Sequence, residues 1–102
     1  MAEREIIDTC RKYIRSVAEE YNLAKAYMFG SYAKGTNTAD SDIDIALVLK
    51  NSGNPLDIQW DLMKLRRNFD LRIEPHPINE QDFNSNNPFV YEILKTGIEI
   101  EA

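Results

Sequence analysis

Residues 42–49, DIDIALVL, alternate strictly along the chain. Ile43, Ile45, Leu47 and Leu49 fall on one side, and Asp42, Asp44, Ala46 and Val48 on the other. Period-two spacing of this kind dictates a β-strand. It also brings two carboxylates to the head of the most apolar segment, where like charges should repel. Ala24–Phe29 is a shorter apolar run that ends at Gly30. Residues 30–41, which separate the two runs, are too few for a long crossover helix, so the strands are expected to be antiparallel neighbours. The end of the first strand, Gly30–Ser31, then lies beside Asp42 at the start of the second.

The remaining elements follow from spacing and punctuation. Over residues 3–21, Ile6, Cys10, Tyr13, Ile14, Val17 and Tyr21 recur at helical intervals with charges between them, and Asn22 is a plausible stop. Ser31–Lys34 is a single helical turn closed by Gly35, and TNTADS is a polar loop. KNSGNP is a turn, with Asn54 as N-cap and Pro55 at the first helical position. The helix from Pro55 to about Asn68 buries Ile58, Leu62 and Leu65. Phe69–Glu74 is expected to be a third strand, with Phe69, Leu71 and Ile73 on one face and Asp70, Arg72 and Glu74 on the other; Pro75 and Pro77 should end it. A short helix Pro88–Lys95, capped by Gly97, precedes a last strand, Ile98–Ile100. This order predicts an α/β fold, a two-layer sandwich in which a mixed β-sheet packs against helices, as a single domain over residues 1–102.

Charge and cysteine usage narrow the function classes. Twelve basic against seventeen acidic residues give a net charge of −5, so direct nucleic-acid binding is not expected. It leaves room for an anionic substrate bridged by cations. The N-terminus is charged from its third residue, no signal peptide is visible, and no apolar run reaches the ~20 residues a membrane span needs. The lone Cys10 suits a reducing compartment, and the expectation is a cytoplasmic protein with no membrane contact. On the apolar stripe of a helix, Cys10 reads as a buried small hydrophobe rather than a nucleophile.

On one strand face, the α-carbons of Asp42 and Asp44 should lie about 6.6 Å apart. Two carboxylates so placed grip a hard cation such as Mg²⁺, which takes a few carboxylate oxygens together with water and substrate phosphates. Gly30 allows close backbone approach, and Ser31 with the amides of the turn it opens can receive an anion. Asp70 or Glu74 makes a third carboxylate available, and three can hold two metal ions for an in-line displacement. A lone Asp-x-Asp at a strand start is commonly just solvated; the combination with Gly-Ser and a later inward acid is what carries specificity. His76, between two prolines, reads as a surface or turn-ordering residue before a catalytic one. Trp60 and Met63 read as core or partner surface before a base-stacking pair, and Tyr91 with residues 86–89 as a helix start and its packing.

The stretch FGSYAKGTNTADSDIDIALVL resembles the signature of the nucleotidyltransferase superfamily that shares its fold with DNA polymerase beta: Gly-Ser, ten residues, Asp-x-Asp. Gly30, Ser31, Asp42 and Asp44 match it without a gap. RRNFDLRIEP is similar to the segment that carries the family's third metal-binding aspartate, which on that pattern is Asp70. Glu74, about 13 Å further along by strand rise, is the fallback. With no room for a second domain, the chain is most similar to the minimal nucleotidyltransferases of prokaryotes.

The resemblance implies transfer of a nucleoside monophosphate, usually AMP from ATP or another nucleoside triphosphate, to a hydroxyl with release of pyrophosphate. It implies two Mg²⁺ ions on Asp42, Asp44 and Asp70, and a triphosphate held by Gly30 and Ser31. Lys34 could neutralise phosphate charge or face solvent. Arg72 could orient Asp70 or touch the triphosphate. Chains of this kind resemble the antitoxin half of two-gene toxin–antitoxin modules, whose partner is a small helical HEPN-type ribonuclease that the antitoxin adenylylates. The alternatives are a nucleotidyltransferase for a small molecule such as an aminoglycoside, and a non-catalytic antitoxin that acts by contact alone.

Overall fold

Alternation and the short connection produce the expected antiparallel pair at the centre of the molecule. The computed structural model describes residues 4–51 and 53–101. Glu3, where the first helix is expected to begin, Ser52 in the expected turn, and Met1 and Ala102 at the expected domain limits lie outside the described residues. The order is α1 (Arg4–Glu20), β1 (Leu23–Phe29), α2 (Ser31–Lys34), β2 (Ile43–Leu49), α3 (Pro55–Leu65), β3 (Ile73–Asn79), α4 (Pro88–Thr96) and β4 (Ile98–Glu99). Single 3₁₀ turns follow α3 and β3.

The sheet runs β3-β2-β1-β4. β2 is antiparallel to β1 and parallel to β3, and β4 is antiparallel to β1. The sheet is therefore mixed, as the sequence predicts. Register sets Leu23 opposite Leu49 and Phe29 opposite Asp44, so the Gly30–Ser31 turn leaves β1 beside the head of β2.

One sheet face carries the main core. Ile43, Ile45, Leu47 and Leu49 of β2 and Met28 of β1 meet Ile6, Cys10, Tyr13, Ile14 and Val17 of α1 and Ile58 and Leu62 of α3. The Tyr13 hydroxyl donates to the Leu62 carbonyl at 2.9 Å, so the largest ring of the α1 stripe brings no unsatisfied polar atom into the core. On the other face Tyr27, Ala46 and Val48 pack with Ile93 of α4. That cover spans the far end of β2 and leaves Asp44, at its head, only partly buried.

The third strand differs from the expectation. β3 begins at Ile73 and runs through Pro75 and Pro77, while residues 69–72 form a turn. Proline is tolerated because β3 is an edge strand. The Arg72 carbonyl accepts from Ile43 N–H, which points residue 72 and every second residue after it toward β2. Residues 73, 75 and 77 point outward, where a proline's missing N–H costs no ladder bond. Even their outward carbonyls are used: Ile73 C=O accepts from Arg66, and Pro75 C=O from Gln59.

Cys10 is fully buried, and burial pushes its thiol up to about 12, with the Asp70 charge adding to the shift. Between the ordinary thiol value and that one, the unfolded chain ionises and the fold does not, so stability falls as pH rises across that window. Ellman's reagent at pH 8 is expected to leave Cys10 unmodified in the native protein and to modify it fully in denaturant. Absorbance of the released thiolate reads the difference.

Candidate active site

The site grows out of the head of β2. β2 begins at Ile43, so Asp42 stands just ahead of the strand, exposed, and Asp44 is its second residue. Parallel register sets Asp44 opposite Glu74 and Ala46 opposite His76. Paired residues of a sheet share a face, so Glu74 and His76 stand on the Asp44 side. One ligand atom from each of Asp44, Glu74 and His76 lies within 4.8 Å of the others. His76 Nε2 is 3.2 Å from Asp44 Oδ1.

The charges of this group are unbalanced. Glu74 is held above the ordinary carboxylate range, first by burial, then by a hydrogen bond with Asp42 and by the Asp44 and Asp42 charges, with His76 opposing. Two carboxyl groups hydrogen-bond only when one keeps a proton. A divalent cation would supply the same compensation without that proton. Asp44 and Glu74, with the imidazole close by, therefore fit a divalent metal ion, and Asp42, beside Glu74, adds a further carboxylate.

Gly30 explains the other half of the motif. Its φ is 76°, in the left-handed region, and a Cβ there would collide with the Asp44 carboxylate. The turn and the carboxylate thus touch through the space a side chain would fill. α2 follows at once: Lys34 N–H donates to the Gly30 carbonyl, and Gly35, also at positive φ, closes the turn onto the Ser31 carbonyl. Gly30→Ala is expected to cost about 1–3 kcal/mol from the combined strain and overlap. A denaturant midpoint measures it, and metal binding should fall with it because Asp44 must move.

Asp70 stands elsewhere. The expectation that Asp70, Arg72 and Glu74 share one strand face is corrected by the start of β3: Asp70 sits in the preceding turn, so no strand alternation carries it toward Asp44. Arg72 grips it in a fork, Nη2 to Oδ2 at 2.8 Å and Nε to Oδ1 at 3.1 Å, and the Arg72 backbone N–H adds a third bond. The guanidinium holds the Asp70 carboxyl below its usual range. Arg72 also donates to the Tyr32 hydroxyl at 2.9 Å and so braces the turn against α2. Orienting Asp70 is one of the two roles open to Arg72. Lys34 pairs with Glu92 of α4 at 3.3 Å, with both side chains about half exposed.

Two residues thus enter the site that the sequence reading ranked low. Glu74 is only the fallback of the sequence pattern, and His76 lies between two prolines that locally read as the end of the strand. The signal that finds both is parity: 74 and 76 have the same phase as 72, whose carbonyl joins β2. Trp60, by contrast, lies on the outer face of α3, 72% exposed, one turn from the similarly exposed Leu56. Among the described residues no helix is long and apolar enough to cross a membrane.

Comparisons with known proteins identify the family and the fold. The family model "Polymerase beta, Nucleotidyltransferase" matches residues 12–101. A Methanocaldococcus jannaschii protein named "Putative protein adenylyltransferase" is 35% identical over 51 residues, 50% of this chain and 51% of that one. The match therefore spans about half the length of that curated relative. Among solved structures, a "putative nucleotidyltransferase" from Sulfolobus solfataricus superposes with a TM-score of 0.66 at 22% identity, over 91% of this chain and 77% of the other. A toxin–antitoxin with AMP-PNP superposes with a TM-score of 0.65 at 22% identity, over 90% and 73%. A mutant of the toxin–antitoxin MntA-HpeT gives 0.63 at 20%, with the same coverage. At these identities the likeness is one of fold.

Proposed function

We propose that this chain, which belongs to the polymerase beta nucleotidyltransferase family, transfers AMP from ATP to a hydroxyl on a protein partner with release of pyrophosphate. The observation that supports the reading is the cluster of Asp44, Glu74 and His76 beside the Gly30 turn, with Asp42 reaching Glu74 from the strand head. Mg²⁺ bound by these carboxylates, two ions in the full reaction, would neutralise triphosphate charge and stabilise the attacking and leaving oxygens. Asp42 and Asp44 hold the metal side of the site. Glu74, paired with Asp44 across the two strands, would complete the metal site and take the proton of the attacking hydroxyl. As that oxygen bonds to the α-phosphorus, the bond to the β-phosphate oxygen breaks and pyrophosphate leaves. The Gly30 backbone and the Ser31 hydroxyl face the β- and γ-phosphates. Arg72 acts as a brace for the turn through Asp70 and Tyr32.

The choice of AMP and of a protein acceptor rests on the adenylyltransferase name of the M. jannaschii relative and on the toxin–antitoxin complex with AMP-PNP. The partner we propose is a small helical toxin of the HEPN type. Leu56 and Trp60 offer an exposed apolar strip on α3 where such a protein could pack. The test is transfer of label to the partner. ATP labelled at the α-phosphate should mark it and γ-labelled ATP should not; γ-label on the partner, or no label from either, contradicts the reading. A prediction that needs no acceptor accompanies it. Mg²⁺ with a non-hydrolysable ATP analogue at 100 times Kd should stabilise the fold by about 2.7 kcal/mol. That corresponds to roughly 10 °C or more in Tm for a chain of this size. The analogue without metal should give little.

A further inference from the structure

We propose that His76 is the positioning residue for Asp44, and that α4 takes part in holding it there; the inference rests on the metal-site reading above. The Asp44 carboxylate is clamped from two sides. Its Oδ2 lies against the Gly30 backbone, in the space a Cβ would fill, and its Oδ1 meets His76 Nε2 at 3.2 Å. A carboxylate oxygen accepts, so Nε2 is the protonated nitrogen of this pair. Asp44 is thereby left little freedom to rotate about its own side-chain bonds, although it is only partly buried.

The imidazole is itself fixed. Its ring centre lies 5.1 Å from that of Phe29, edge to face, and 5.9 Å from that of Phe89. Phe29 and Phe89 complete the triangle at 5.3 Å, again edge to face. Contacts of this geometry are the favoured ones for aromatic rings. The three rings come from three elements: Phe29 ends β1, His76 lies in β3 and Phe89 opens α4. Pro75 and Pro77 flank His76 and stiffen the backbone that carries it. A helix outside the sheet thus reaches the metal site through one imidazole. The Lys34–Glu92 ion pair fastens the same helix to the turn behind Ser31.

Partners of this kind orient ligating carboxylates, and their loss typically costs about 10–100-fold in metal affinity. Two substitutions separate donation from packing. His76→Leu fills space and donates nothing; His76→Gln keeps an N–H at comparable reach. The readout is Mn²⁺ binding in the presence of a non-hydrolysable ATP analogue, followed by electron paramagnetic resonance, with thermal unfolding in parallel. His76→Leu should weaken Mn²⁺ binding by about 10–100-fold, and His76→Gln should recover most of it. Phe89→Ala, which releases the ring from the α4 side, should weaken binding by an intermediate factor.

Equal binding by the native protein and both His76 variants overturns the proposal. So does equal loss in both variants, because then only the ring's bulk matters. Nitrogen hyperfine coupling to Mn²⁺ that vanishes in His76→Gln also overturns it, since His76 would then be a ligand itself. Native protein that binds no Mn²⁺ at all refutes the metal site, and the positioning role falls with it.

Discussion

Asp42→Asn and Asp44→Asn are each expected to lower nucleotidyl transfer by about 10³-fold or more while leaving the fold intact. A metal ion at a transferring phosphoryl group supplies several kcal/mol of transition-state stabilisation, and each 1.36 kcal/mol is a factor of ten. Losing one ligand charge from so small a set forfeits most of that. The sign of the stability change sets these variants apart from ordinary active-site damage. Without metal, the Asp42 and Asp44 charges raise the cost of ionising Glu74, so removing either one relieves it. Metal-free Tm should therefore stay level or rise, and the stabilisation by Mg²⁺ and the ATP analogue should vanish. Calorimetry with and without metal reads both effects.

The second large effect separates two acids four residues apart. Glu74→Gln should cut transfer by about 10²–10³-fold, the range expected when a metal ligand that also accepts a proton is removed. Asp70→Asn should leave transfer within about tenfold, because its carboxylate is held by Arg72 and stands outside the metal-binding group. Its cost should appear in stability, about 1 kcal/mol, at the low end for charged hydrogen bonds because Arg72 is more than a third exposed.

The two acids also pull pH dependence in opposite directions. Asp70 is depressed by Arg72, so its contribution is present above the ordinary aspartate value and lost as pH falls through the depressed one. Glu74 is raised, so in the absence of metal its ionisation costs stability, and that cost disappears as pH falls through its raised value. Asp70→Asn should flatten the acid limb of a stability curve. Glu74→Gln should remove the metal-free gain on acidification.

Much of this arrangement is legible in the residues. Alternation in residues 42–49 and the short connection before them lead directly to the antiparallel pair, and Gly30 and Asp44 meet where that pairing requires. What misled was the segment 69–79. Its first six residues alternate as well as its last seven, and an amphipathic pattern in a turn looks no different from one in a strand. Pro75 and Pro77 read locally as a strand end, yet a proline is barred only where the backbone points at a neighbour. Whether Pro75 and Pro77 point at β2 or at solvent depends on sheet order, which no local pattern records. With β3 placed at the edge, the strand begins four residues later than expected, and Glu74 and His76 arrive together. The contact of Phe89 with His76 depends on α4 folding back over the sheet, and it too is tertiary information.

The most direct test is crystallographic. Crystals grown with Mn²⁺ and a non-hydrolysable ATP analogue would show the metal by its anomalous scattering. The predicted result is density bridged by the carboxylates of Asp42, Asp44 and Glu74, with Asp70 still forked by Arg72. A metal ligated by Asp70 in place of Glu74, or none at Asp44, would contradict the account.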